Sequence, residues 1–72
     1  MAKYRYRPVV MDHRKNTVAH YGATIELKAT DIVSARTEVD GMPPAPGVNC
    51  RQILDESGSV ASHRMLGDNA WS

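Results

Sequence analysis

The chain has 72 residues, 42% of them hydrophobic and 24% charged, with three Tyr, one Trp, no Phe and a single Cys. That length bounds it to one domain, residues 1–72, with a small core and little room for the deep cleft of an enzyme. One cysteine excludes an internal disulfide framework, Met1-Ala2-Lys3-Tyr4-Arg5 lacks the apolar heart of a secretory leader, and no apolar run nears the roughly 18 residues of a membrane span, so a cytoplasmic setting is expected.

The net charge of +1 is unevenly spread. Residues 1–36 hold seven Lys/Arg against three Asp/Glu, a balance of +4; residues 37–72 hold two against five, a balance of −3. One side of such a molecule can meet an acidic partner.

In chain order, residues 3–13 alternate as Lys3-Tyr4-Arg5-Tyr6-Arg7 and continue through Pro8, Val9, Val10 and Met11, a strand period. Arg14-Lys15-Asn16 reads as a turn, and residues 17–28 alternate again. A two-residue turn at Lys15-Asn16 sets Tyr4 against Leu27, Tyr6 against Ile25, Pro8 against Ala23 and Val10 against Tyr21. The other face then pairs Arg5 with Glu26, Arg7 with Thr24 and Met11 with His20. Pro8 predicts an edge strand or a bulge, and Gly22 a bulge or bend.

Thr30 suits a helix N-cap and Asp31 the first turn; Ile32, Ala35 and Val39 recur at helical spacing, and Gly41 ends the helix. Met42-Pro43-Pro44-Ala45-Pro46-Gly47 is a stiff, extended connector. Val48, Cys50, Gln52 and Leu54 then share a strand face expected to meet the core, while Asn49, Arg51, Ile53, Ala61, His63 and Met65 share the outer one. Between them, Asp55-Glu56-Ser57-Gly58 predicts a hairpin turn. Asp55 accepts from the backbone two residues on, and Gly58 takes the left-handed conformation. Trp71 is expected to close one end of the core. The fold class is therefore α+β: a mostly antiparallel four-stranded sheet, order β-β-α-β-β, with one helix packed on one face.

The chemistry-bearing residues are sparse. His13, His20, His63 and Cys50 lack the close spacing of zinc ligands, and no cofactor is expected. Cys50 reads as a small core residue with no paired base, and the five glycines form no phosphate loop, so no enzymatic activity is expected. Lys3, Arg5 and Arg7 point away from the tyrosines and form a basic stripe, which Arg14 and Lys15 extend. An ordinary solvated strand face, with Arg5 paired to Glu26, is the alternative reading of that stripe.

Thr30-Asp31-Ile32-Val33-Ser34-Ala35-Arg36, then Ile53-Leu54-Asp55, Gly58, Val60-Ala61-Ser62, Gly67 and Trp71 follow one another at characteristic places. This layout, over roughly residues 24–71, resembles small phage and prophage proteins with a Thr-capped helix before a strand, an Asp-x-x-Gly turn, a strand and a late Gly-x-x-x-Trp. Some small anti-CRISPR proteins are similar, and the beginning resembles compact phage host-takeover proteins. The resemblance implies a stoichiometric inhibitor of a bacterial nucleoprotein complex such as a CRISPR effector, acting in the host cytoplasm.

The expected function is thus non-enzymatic binding. The candidate partner-binding residues are Lys3, Arg5, Arg7, Arg14 and Lys15, with Arg51, His63 and Met65 from the outer face of the second hairpin. The alternatives are a small nucleic-acid-binding regulator using the same stripe and a homodimeric accessory protein.

Overall fold

The computed structural model describes residues 3–43 and 46–72; residues 44–45 of the proline-rich connector lie outside the described residues. Among these, five strands and one helix follow in the order β1 (Arg5–Asp12), β2 (Thr17–Tyr21), β3 (Ile25–Glu26), α1 (Ile32–Asp40), β4 (Cys50–Leu54) and β5 (Val60–Met65). The sheet is antiparallel with spatial order β2-β1-β4-β5, and β3 also pairs with β1. The α+β class stands; the four expected strands become five, because the second is cut in two.

Pro8 makes the cut. It lies in the centre of the sheet, opposite Arg51 of β4, and not in an edge strand. In an antiparallel ladder a residue's N–H and C=O point to the same neighbour. The Pro8 carbonyl accepts from the Gly22 N–H at 2.8 Å, so its missing donor also faces that side. The partner ribbon accordingly breaks at residues 22–24, between β2 and β3. A proline is tolerated in an inner strand where pairing is already interrupted.

The break also moves the register. Arg5↔Glu26 and Tyr6↔Ile25 pair as the hydrophobic pattern demands. Beyond the break Val9 meets Tyr21 and Val10 meets His20, one residue away from the expected pairs. A further shift between Val10 and Met11 brings Met11 to Val18 and Asp12 to Thr17. The turn then spans residues 13–16, with Asn16 at φ 53, a left-handed conformation that Asn tolerates.

The helix begins one residue later than expected. Asp31, not Thr30, is the N-cap; its Oδ1 accepts from the Ser34 N–H at 2.8 Å, and this bonding holds its carboxyl below the ordinary range. Gly41 ends the helix, donating to the Thr37 carbonyl at 3.2 Å, and the Met42 N–H caps the Val39 carbonyl at 3.0 Å. Ala35 and Val39 are fully buried and meet Tyr6 and Ile53 in the main core cluster. Tyr4, Leu27, Ala29, Ile32, Met42 and Trp71 pack around it. Burial raises the Tyr6 phenol's pKa.

The first strand of the second hairpin, β4, presents the opposite face from the one expected, while His63 and Met65 of β5 keep the outward face. Ile53 points to the helix, whereas Cys50, Gln52 and Leu54 point away from it. The directly opposed pairs fix this: Tyr6↔Ile53 places Ile53 on the helix side, and Arg7↔Gln52 and Val9↔Cys50 place their residues on the other. The turn itself forms as the residues require. Asp55 Oδ1 accepts from the Ser57 and Ser59 N–H groups, Gly58 sits at φ 86, and Leu54 meets Val60. A register shift between Ile53 and Leu54 then sets Ile53 against Ser62 and Gln52 against His63.

The C-terminal segment folds back over this end. Trp71 packs on the core, and its Nε1–H donates to Asp40 Oδ2 at 3.1 Å. Asp40 Oδ1 also pairs with Arg64. Among the described residues no helix is long and apolar enough to cross a membrane.

Candidate partner-docking face

The helix covers one side of the sheet, and among the described residues no second layer covers the other. Down the centre of that open side runs the row Val9, Cys50 and Leu54, yet all three are buried, at 0%, 3% and 4% exposure. Long side chains stand beside them on the same side. Arg7 reaches from β1 to β4: its Nε and Nη2 donate to Gln52 Oε1 at 3.0 and 2.6 Å. Its guanidinium stands over the Tyr21 ring, 4.1 Å from the centroid. A guanidinium stacked on an aromatic keeps its charge and stays oriented. Tyr21 is 48% exposed, so one edge of this stack meets solvent.

Arg5 stands two residues along β1 on the same side, opposite Glu26 in one neighbour and Leu54 in the other. Lys3 is exposed just before β1, and its backbone N–H donates to Glu56 Oε1. Arg14 and Lys15 are exposed in the β1–β2 turn, where Asp12 Oδ1 accepts from their N–H groups. They flank the open side at its far end, separated from Arg7 by Val9 and Met11. His63, paired with Gln52, and Met65, paired with Cys50, share the open side; His63 is exposed and Met65 half-buried.

Arg51 is placed elsewhere. It points to the helix side, where Nη1 donates to the Val39 carbonyl at 2.8 Å and Nη2 reaches the Met42 carbonyl at 3.4 Å. These are carbonyls of the helix C-terminus, where a cation also opposes the helix dipole. Ile53, expected on the outer strip, is wholly buried in the core. The open side therefore gathers Lys3, Arg5, Arg7, His63 and Met65, with Arg14 and Lys15 at one end and Arg51 turned away.

Tyr21 and Gln52 belong to this face and escape the sequence pattern. Tyr21 reads as core-facing until the register slips at Gly22, so that glycine was the available signal. Gln52 becomes notable only once β4 lies beside β1, a pairing between distant segments.

The reactive groups are subdued. Burial raises the pKa of the Cys50 thiol, with Asp68 adding to it, which disfavours the thiolate. Ser62, also buried, accepts from Arg36 Nε and donates to the Ser72 carbonyl. Among the described residues no three His, Cys, Asp or Glu side chains are placed to hold a metal ion.

No family model, curated protein or solved structure was found to match the chain.

Proposed function

We propose that the protein is a non-enzymatic binding module that docks, through the open side of its sheet, on an acidic surface of a bacterial protein or nucleoprotein complex. One observation carries this reading: Arg5 and Arg7 project from β1 above an apolar row that is already sealed. The face thus offers a partner oriented charge and hydrogen-bond donors, with no bare apolar floor. Such a surface speeds encounter and selects partners by sign of charge. The chain's layout resembles small phage inhibitors, anti-CRISPR proteins among them, which supports a CRISPR effector as the partner class and the host cytoplasm as the place of action.

The test is capture from bacterial lysate by the wild-type chain and by Arg5→Glu/Arg7→Glu. The double variant is expected to lose capture while keeping its far-UV spectrum. Arg5→Glu sets a like charge opposite Glu26, worth under about 1 kcal/mol, whereas Arg7→Glu also gives up the Gln52 bonds and the Tyr21 stack, so a denaturant midpoint is read beside capture and Arg5→Glu alone serves as the milder variant. Undiminished capture removes this face from the account.

A second reading is favoured by the Arg7–Tyr21 stack, since aromatic rings and guanidinium planes are surfaces on which unpaired bases stack. In that case a gel shift with random single-stranded DNA or RNA appears, and affinity falls log-linearly with salt.

A further inference from the structure

The two edges of the sheet are treated differently by the rest of the chain. The outer edge of β5 is closed by the chain's own C-terminal segment. Met65 donates to Asp68 Oδ2 at 3.0 Å and accepts from the Asp68 N–H at 3.0 Å. Two residues back, His63 exchanges two backbone bonds with Ser72, at 3.2 and 2.9 Å. Exposed ladder positions capped in this way cannot recruit a foreign strand.

At the opposite edge, β2 has no such cap. Among the described residues no side chain or distant backbone group bonds to Thr17–Tyr21 beyond the β1 ladder. Nor does charge guard it: residues 17–25 contain no Asp, Glu, Lys or Arg, in a chain where 24% of residues are charged. All but Val18 and Gly22 of these nine are exposed. Two of the large exposed hydrophobics, Tyr21 and Ile25, lie at this edge on opposite sides of the sheet, paired with Val9 and Tyr6 respectively.

We propose that the outer edge of β2 pairs antiparallel with the same edge of a second copy of this chain, joining two sheets into one. A two-fold contact sets each strand against itself, so any formal charge near its centre would face its own copy. Residues 17–25 contain none, which makes the edge self-compatible in a way that the charged strand β1 is not. The added strand also covers exposed Tyr21 from one side. The gap at residues 22–24 ends the edge beyond Tyr21, and the register shift that leaves Ala19 unpaired weakens the middle of this five-residue strand, so the pairing is short and the dimer reversible. The contact uses an edge and leaves Arg5 free; of the docking-face residues it touches Tyr21.

Sedimentation equilibrium over a dilution series tests it, with Ala19→Lys and Ala19→Ser beside the wild type. Ala19 is exposed in β2, so both variants fold. The wild type and Ala19→Ser are expected to dimerise reversibly. Ala19→Lys sets like charges close across the two-fold axis and shifts half-dissociation about tenfold upward in concentration. A wild type that stays monomeric throughout overturns the proposal. So does a dimer indifferent to Ala19→Lys, which places the contact on another surface.

Discussion

Ile53→Ala is expected to bring the domain to the edge of unfolding at room temperature. Ile53 is wholly buried between β1 and the helix, in contact with the cluster of Tyr6, Ala35 and Val39. Truncating a buried Ile to Ala costs about 2–5 kcal/mol, since the lost transfer energy is joined by the cavity left behind. Native stability runs at about 0.05–0.15 kcal/mol per residue, so a 72-residue domain holds roughly 4–11 kcal/mol in all. The core has no Phe and few large side chains to relax into the gap. Denaturant unfolding followed by circular dichroism reads the result. Val33→Ala is the control: Val33 is 66% exposed on the helix, and alanine is the better helix former, so stability should hold or rise by a few tenths of a kcal/mol. If Ile53→Ala matches that control, the helix does not close the core where Ile53 stands.

Gly22→Ala is expected to destabilise by about 1–3 kcal/mol, the range for forcing extra methylene volume into a packed site. A Cβ built on Gly22 would lie 2.6 Å from Pro8 Cγ and 3.4 Å from both Pro8 Cβ and the Pro8 carbonyl. Neither partner retreats easily, because the proline ring is rigid and the Gly22 N–H holds the Pro8 carbonyl at 2.8 Å. The remedy is specific. Adding Pro8→Ala removes the obstructing ring, so the double variant should recover most of the loss, a coupling of about 1–2 kcal/mol between touching residues. Additive effects of the two substitutions would mean that the proline and the strand break are unrelated. The same contact explains why the ribbon opposite β1 is divided: the one residue without a donor and the one residue without a side chain meet where the ladder stops.

Much of the backbone plan was legible from the residues, and the exceptions have physical causes. Tyr4 and Tyr6 turned inward and Arg5 and Arg7 outward, as the alternation in β1 requires, because only one face of that segment carries charge. The Asp55–Gly58 turn formed because its two demanding positions carry residues suited to them. Ile32, Ala35 and Val39 mark the helix by their spacing, and its cap falls on Asp31 where Thr30 qualifies equally well. The facing of β4 was not legible. Cys50, Leu54 and Ile53 are all buried, on two different sides of β4, so hydrophobic alternation there carries no sign. Cys50 and Leu54 stand on the same side as Arg7 of β1 and Gln52 of β4 itself, and burial beside long polar side chains leaves no apolar signature. The docking face inherits that ambiguity. Its β1 half was visible as a basic stripe, while Tyr21, Gln52 and the inward turn of Arg51 depended on a register slip and a long-range strand pairing.

Everything proposed for the open face depends on which side of β4 the helix covers, and methyl NOEs in solution read that side directly. The account predicts NOEs from the Ile53 methyls to those of Ala35 and Val39, with the Leu54 methyls seeing Val60 and no helix residue. NOEs from Leu54 to Ala35 or Val39, with Ile53 silent toward the helix, would reverse the sheet and contradict it.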